Sequence, residues 1–190
     1  MRKEVVGFAM CGSYCTYEKV FTALEELTRE FETVIPILSE NSASTDTRFG
    51  LAENHIQRLI AITGNRPITT VREAEPIGPK KLLDILIVAP CTGNTLGKLA
   101  QGVTDTAVTM AVKAHLRNQR PVLLAVSTND GLGTAGKNIM ELMNRKHIYM
   151  VPFGQDDPVG KPTSLVADMS KITEAAIEAL EGNQIQPVLQ

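Results

Sequence analysis

Glycines and small polar residues cluster in four segments of the sequence, each of which follows a short apolar run. The first segment contains Gly12 and Ser13, and the second contains Ser39 and Ser44. Glycine lets the backbone approach a ligand closely, and the free N–H groups that open a following helix favour a phosphate. The first two segments therefore indicate a phosphate site, although such turns also simply connect a strand to a helix.

The third and fourth segments carry amides and hydroxyl groups. The third runs from residue 90 to 106 and includes Asn94, which offers a donor and an acceptor to a flat heterocycle. Glycines at positions 93, 97 and 102 weaken any helix there, a cost usually accepted where the backbone must come close to a ligand. The fourth segment includes Thr128 and Asn129. Neither a GxGxxG nor a GxxxxGK[ST] pattern occurs, so a conventional dinucleotide site and a P-loop are not supported.

Composition narrows the class of protein. The chain has 190 residues, a hydrophobic content of 43% and a net charge of −2, which predict one globular domain over residues 1–190 without affinity for nucleic acid. No apolar run reaches the ~20 residues that a membrane-spanning helix needs, and no signal peptide is evident. Three cysteines without a CxxC pattern argue against disulfides and zinc. These features predict a cytoplasmic protein without a metal.

Hydrophobic periodicity alternates between short strands and longer helices. Strands are predicted at 5–10, 33–38, 82–90, 122–127 and 148–153. One helix is predicted through Val20, Leu24, Leu27 and Phe31 with Thr16 as its N-cap, and another through Leu51, His55, Leu59 and Ile62, ended by Gly64. Further helices are predicted at 94–99, 105–116, 135–145 and 164–180, and the prolines of residues 65–80 predict an irregular excursion.

This alternation predicts a doubly wound parallel sheet with helices on both faces, a Rossmann-like three-layer α/β/α domain. Ligands of such sheets bind in the crevice beyond the carboxyl ends of the strands. The four polar segments all follow predicted strands. They are therefore expected to meet at one edge of the sheet and to form one site.

The third segment resembles a motif of the flavin-containing cysteine decarboxylase superfamily. Residues 90–95 occupy the positions of P-A-S-A-N-T, and residues 102–105 those of G-x-A-D. The resemblance implies a flavoprotein fold, a homo-oligomer and an FMN whose phosphate lies on the first two segments and whose ring lies near the other two. The cofactor-binding residues implied by this placement are Gly12, Ser13, Ser39, Ser44, Pro90, Thr92, Asn94, Thr95, Asp105, Thr128 and Asn129.

The fourth segment departs from the superfamily. Its decarboxylases have P-x-M-N, whereas the matching positions here are Val126, Ser127, Thr128 and Asn129, so only the asparagine is kept. Decarboxylation of a cysteine is thereby put in doubt. A chain of this kind can also keep the phosphate pocket and lose the flavin ring site. Asp105 has a simpler interpretation as the cap of the helix that follows Thr104.

A narrower resemblance covers nearly the whole chain and rests on residues 11–16, 127–133 and 152–158. It is to one component of a two-component synthase of spore-forming bacteria, whose other component binds NADP or NAD. It implies oxidation of a dihydropyridine dicarboxylate in the mother-cell cytoplasm during sporulation. Arg48, Lys98 and Lys137 are then candidates for binding the substrate carboxylates, although each also fits a solvated surface charge. A decarboxylase and a non-catalytic accessory protein remain alternatives.

His55 and the aromatic residues have competing interpretations. His55 lies on the apolar face of a predicted helix and is a weak catalytic candidate, because a histidine there is more often packed. Aromatic residues make up 4% of the chain, and Tyr14, Tyr17 and Phe49 alone lie in or near the first two segments. We therefore expect recognition to depend on backbone and small polar groups, or on rings from a neighbouring chain.

Overall fold

The chain alternates strands and helices for most of its length in the computed structural model, which describes residues 1–190. The strands are β1 (Arg2–Met10), β2 (Phe31–Leu38), β3 (Ile85–Cys91), β4 (Val122–Thr128), β5 (Ile148–Met150), β6 (Phe153–Gly154) and β7 (Leu165–Ala167). The helices are α1 (Tyr17–Glu30), α2 (Glu40–Ser44), α3 (Ala52–Thr63), α4 (Val71–Ala74), α5 (Gly93–Gln101), α6 (Ala107–Leu116), α7 (Thr134–Met143) and α8 (Ile172–Leu180).

Five strands form a parallel sheet in the order β2-β1-β3-β4-β5. Every residue of β3 is buried, as expected of a central strand covered by helices on both faces. The order of strands reverses between β1 and β3, which is the position where doubly wound sheets bind ligands. The predicted fold class is confirmed.

The end of the chain differs from the prediction. Residues 165–167 form β7, which pairs antiparallel with the last residues of β4 and with β6, so the last helix begins at Ile172 and not at 164. The predicted strand at 148–153 is divided into β5 and β6. A short apolar run such as Leu165–Ala167 fits a helix or a strand, and the free edge of β4 decides between them by offering hydrogen bonds.

Short helices lie in the polar segment after β2 and in the excursion predicted at residues 65–80. Ser39 caps α2 directly after β2. Within 65–80, Thr70 and Glu73 form a capping box at the start of α4, and a 3₁₀ turn follows at Glu75–Ile77. Gly64 ends α3 in the left-handed conformation with a φ of 71°, as predicted.

A single hydrophobic core of 52 residues lies on both faces of the sheet. Its large side chains include Phe8 of β1 and Phe21 and Leu24 of α1, all fully buried. This core fixes the strands so that their carboxyl ends, and the loops that follow them, share one edge. No helix of this chain combines the length and the apolar character needed to cross a lipid bilayer.

Candidate functional site

The loops after β1, β3 and β4 surround a cavity of about 820 Å³, which we call the main cavity. A second cavity of about 410 Å³ lies beside it, toward β2 and α6. The two share Gly12, Thr92 and Asn94 in their walls. The predicted meeting of the polar loops at one edge of the sheet is therefore found in the structure.

The loop after β1 is tied to the far side of the main cavity. The Ser13 Oγ lies 2.7 Å from the Ser127 Oγ at the end of β4. Thr16 occupies the N-cap position of α1, as predicted, but its hydroxyl makes no capping bond and instead donates to the Ser13 carbonyl at 2.8 Å, which closes the turn. The first loop thus keeps a fixed position opposite the fourth.

The two serines predicted after β2 have different places. The Ser39 Oγ accepts a hydrogen bond from the Ser42 N–H at 3.2 Å, and Ser39 lines the second cavity. Ser44 is exposed at the end of α2, where its hydroxyl donates to the Glu40 carbonyl at 2.8 Å. Ser44 lines neither cavity because α2 carries it away from the first loop.

The loop after β3 leads into α5, and the start of this helix faces both cavities. Thr92 caps this helix, and its Oγ1 accepts from the Thr95 N–H at 3.3 Å. The N–H groups of Gly93 and Asn94 find no acceptor in the protein, and the Asn94 side-chain amide also has none. Free donors at the start of a helix favour an anion or a polar ring edge. Pro90 is buried in β3 and lines neither cavity.

The loop after β4 packs closely on the start of α5. A Cβ atom on Gly93 would lie 2.6 Å from the Thr128 Oγ1, so only glycine allows this approach. The Thr128 hydroxyl donates to the Asp130 carboxylate at 2.6 Å. The Asn129 side chain is exposed in the wall of the main cavity, while its carbonyl accepts from the Thr163 hydroxyl at 2.7 Å. The third and fourth loops therefore present the amides of Asn94 and Asn129 in the wall of the same cavity.

The three cations predicted to bind substrate lie apart. Arg48 faces the main cavity without an ion pair, its guanidinium 4.8 Å from the Phe49 ring centroid. Lys98 lies between the second cavity and a third, and its Nζ contacts both carboxylate oxygens of Asp105 at 2.8 and 3.0 Å. Lys137 lies only at the third cavity, between α5 and α7.

Asp105 does not cap the helix that follows it. The cap of α6 is Thr106, whose side chain accepts from the Thr109 N–H. The hydrogen bond from Lys98 lowers the pKa of Asp105 below its ordinary value, which keeps this carboxylate charged at the wall of the second cavity. The predicted capping role of Asp105 is therefore wrong, because the hydroxyl next to it takes that position.

His55 lies outside the cavities. Its ring packs edge-on against Tyr17, with 4.9 Å between centroids, and stacks on Phe21 at 6.0 Å. Burial lowers the pKa of His55, so the neutral ring is favoured. The structure places this histidine in the packing between α1 and α3 and does not bring it to the loops of the site.

Cys11 and Cys91 end β1 and β3, and both are buried. Burial raises the pKa of Cys11 to about 11 and that of Cys91 well above its ordinary value. The Cys11 sulfur accepts a hydrogen bond from the Thr95 hydroxyl at 3.2 Å. Both thiols are therefore protonated at neutral pH, which makes them poor nucleophiles.

Lys19 and Asn138 lie in the walls of the main cavity and were not predicted from the sequence. Lys19 of α1 faces the main cavity and forms no ion pair. Asn138 of α7 is buried, in the same helical stripe as Ala135 and Ile139. Its position could have been found from the sequence, because a polar residue within the apolar stripe of a helix is unusual.

Residues 1–181 match the family model described as Flavoprotein. The chain is 47% identical over 189 residues to the B subunit of dipicolinate synthase from Bacillus subtilis, covering 100% of this chain and 94% of that protein. It superposes on the crystal structure of the corresponding dipicolinate synthase subunit from Bacillus halodurans with a TM-score of 0.90 and 45% identity. That match covers 98% of this chain and 96% of the other.

A more distant likeness is to the FMN-dependent cysteine decarboxylase SpaF. Its TM-score is 0.65 at 20% identity, and it covers 93% of this chain and 97% of that one. At this identity the likeness concerns the fold. The arrangement of strands and loops described above is therefore shared with a flavin-dependent enzyme, whatever the chemistry of each site.

Proposed function

Because the chain belongs to the flavoprotein family, we propose that it is the FMN-binding B subunit of a dipicolinate synthase. It acts with the A subunit of dipicolinate synthase, which binds NADP or NAD and is called the partner subunit below. Together they oxidise dihydrodipicolinate to dipicolinate during sporulation, in the mother-cell cytoplasm. The observation that carries the proposal is the 47% identity to a B subunit over the full chain.

The main and second cavities fit an FMN by their donors and charges. The free N–H groups of Gly93 and Asn94 suit a phosphate or a polar ring edge. Lys19 and Arg48 supply cations that no carboxylate of the protein neutralises. A volume of about 820 Å³ lies in the range of small-molecule sites, roughly 300–1,000 Å³. The residues present are thus compatible with an anionic, ring-containing cofactor.

Specific residues would hold each part of the cofactor. Gly12, Ser13 and Thr92, which line the main cavity, would hold the phosphate, and Ser39 and Thr95, which line the second cavity, would hold hydroxyl groups of the polyol chain. Asn94 and Asn129, with the Thr128 hydroxyl, would contact the ring. A bound flavin supplies an acceptor for a hydride.

Aromatic contacts are few in this arrangement. Tyr14 and Phe49 line the main cavity, whereas Tyr17 is buried and donates its hydroxyl to the Cys11 carbonyl at 3.2 Å. Phe49 is 44% exposed. We propose that the chain forms a homo-oligomer in which a neighbouring copy covers this side of the site.

The oxidation removes a hydride and a proton from the dihydropyridine ring, which becomes aromatic. The main task of this chain is then to orient the ring and its two carboxylates against the hydride acceptor and to keep water away. That acceptor would be a flavin held by this chain, or the nicotinamide of the partner subunit if no flavin is bound. Buried Cys11 and Cys91 take no part, because their thiols stay protonated.

A flavin-dependent cysteine decarboxylase is the main competing function. The fold favours it, since SpaF has the same architecture. Residues 126–129 speak against it, because the proline and methionine of the decarboxylase motif are absent. A third function is that of an accessory protein without a ligand. The unpartnered cations and amides of the main cavity argue against it, because they indicate a bound ligand.

The test is reconstitution of the chain with the partner subunit, FMN and NADP or NAD. We expect dihydrodipicolinate to be converted to dipicolinate only when both proteins are present, as measured by product absorbance. Release of carbon dioxide from a peptide ending in cysteine would support the decarboxylase instead. Full activity of the partner subunit without this chain would contradict the proposed role.

A further inference from the structure

A third cavity of about 480 Å³ lies between α5 and α7, and we call it the α5–α7 cleft. It joins the main cavity along Asn94, Thr134 and Asn138, which line both. The cleft therefore opens onto the place where the flavin ring is proposed to lie. A ligand bound in it would reach the ring without passing through the second cavity.

Asn138 is the buried polar group at this junction. Only 8% of its surface is exposed, and its side-chain amide makes no hydrogen bond to the rest of the protein. The side-chain N and O atoms of Asn138 are not enclosed by the protein and face the two cavities that the residue lines. An amide that makes no bond within the protein and faces two cavities offers a donor and an acceptor to a ligand there.

Gly97 of α5 keeps the cleft open on the opposite wall. A Cβ atom at this position would lie 3.5 Å from the Asn138 Nδ2. Glycine weakens a helix by about 1 kcal/mol relative to alanine, so its presence within α5 has a cost. The small residue leaves space beside the amide.

The α5–α7 cleft and the second cavity differ in charge. The α5–α7 cleft is lined by Lys98 and Lys137 and by no acidic residue. In contrast, the second cavity is lined by Glu40 and Asp105 with Lys98 as its one cation. Lys137 forms no ion pair, whereas Lys98 is already bound to Asp105. An anionic ligand is therefore favoured in the cleft over the second cavity.

We propose that the α5–α7 cleft is the subsite for the substrate, a planar nitrogen ring with two carboxylates. Lys137 pairs with one carboxylate, and Asn138 bonds the ring edge or the second carboxylate at the junction. Charge-assisted and bidentate contacts of this kind give orientation as well as affinity. The inference rests on the proposed function, and it assigns to substrate binding a residue that no motif marks.

The test is calorimetric titration of the full chain with pyridine-2,6-dicarboxylate, in metal-free buffer with saturating FMN. We expect Asn138→Leu to raise the Kd of the dicarboxylate at least tenfold while the Kd of FMN changes less than twofold. The melting temperature should not fall, because the substitution removes no hydrogen bond within the protein. We expect Lys137→Gln to raise the Kd of the dicarboxylate about fivefold.

Two matched variants control for general damage. Asn118 is a partly buried asparagine whose amide donates to the Gly78 carbonyl at 2.9 Å. We expect Asn118→Leu to lower the melting temperature without changing the Kd of the dicarboxylate. Lys113 is exposed on α6, away from the cavities, and Lys113→Gln should change neither quantity.

The subsite is overturned if the wild-type chain does not bind the dicarboxylate, or if Asn138→Leu binds it as tightly as wild type. A lower melting temperature of Asn138→Leu, with unchanged binding, would show a structural role instead. These outcomes are separate from failure of the proposed function, which would appear as absent FMN binding and an inactive complex with the partner subunit.

Discussion

The two edges of the sheet use their polar side chains in opposite ways. At the amino ends of β3 and β4, Asp84 accepts a hydrogen bond from the Val5 N–H at 2.8 Å and pairs with Arg120 at 3.1 Å. Arg120 also donates to the carbonyls of Lys81 and Leu83. The charges of Asp84 and Arg120 are therefore paired within the protein, where they join separate segments of the chain.

The buried histidine at the amino edge belongs to the same pattern. The His115 Nε2 lies 3.0 Å from the Pro121 carbonyl, and burial lowers the pKa of His115 to about 4. Its ring is therefore neutral at pH 7, with Nε2 bonded to the chain and the buried Nδ1 without a partner. At the carboxyl edge, in contrast, Asn94, Asn138 and Arg48 have no hydrogen-bond or ion-pair partner in the protein.

This contrast separates groups that stabilise the fold from groups that are free for a ligand. Removing a bonded polar group should lower the free energy of unfolding and leave binding intact. Removing an unpartnered group should do the reverse. The following predictions test that separation.

The largest effect is expected from pH. The unfolded pKa of His115 is 6.5 and the folded pKa about 4, so the unfolded chain binds the proton more tightly. The contribution of His115 to the free energy of unfolding is therefore fully present above pH 6.5. It should fall by ~3 kcal/mol as the pH is lowered to 4. Urea unfolding at several pH values measures it, and His115→Gln should show a shallower slope. Equal slopes would mean that this histidine is not the source.

Asp84→Ala should have the next largest effect. The substitution leaves the Val5 N–H and the Arg120 guanidinium without their acceptor, which should cost about 2 kcal/mol of unfolding free energy. FMN affinity should stay within twofold. The exposed and unpaired Glu181 serves as the control, since Glu181→Ala should change stability by less than about 0.5 kcal/mol. A larger effect on FMN binding than on the free energy of unfolding would contradict the contrast between the two edges.

Asn94→Ala should show the reverse behaviour at the carboxyl edge. We expect the Kd of FMN to rise about tenfold, roughly 1.4 kcal/mol, because a ligand loses one amide partner. The melting temperature of the unliganded chain should not change. Asn183→Ala, at an exposed asparagine outside the cavities, is the control. Titration of flavin fluorescence measures the affinity, and a loss of stability without a loss of affinity would contradict the prediction.

Phe49→Ala should give the smallest effect on FMN. The ring is 44% exposed and is covered on one face by the Arg48 guanidinium, so it offers little enclosed surface to a ligand. The Kd of FMN should rise less than threefold, which is less than for Asn94→Ala. A larger rise in the same fluorescence titration would show that recognition depends on aromatic stacking.

Much of the fold could be predicted because local signals agreed with the tertiary structure. The unbroken apolar run at β3 indicates a buried central strand, and Gly64 indicates the end of helix α3. Strand β7 could not be predicted, because Leu165–Ala167 becomes a strand only beside the free edge of β4. Ser44 was misplaced because five residues after β2 form a helix that turns its hydroxyl back onto Glu40.

The candidate site was predicted in part for a related reason. Ser13, Thr92 and Asn129 follow strands, and the rule for doubly wound sheets brings such residues together. Asn138 lies inside a helix, and only the packing of α7 beside α5 places its amide at the junction of the main cavity and the α5–α7 cleft. The positions of Lys98 and Arg48 also depend on packing, which pairs one with Asp105 and leaves the other free.

The central claim is that Asn94 and the unpaired cations of the main cavity bind a flavin. Equilibrium dialysis of the purified full chain against FMN, followed by the absorption spectrum, tests it most directly. We predict a yellow complex with one FMN per chain, more stable than the free chain by about 2.7 kcal/mol at a ligand concentration of 100 times Kd. A colourless protein, with no bound FMN even when the partner subunit is present, would contradict the claim.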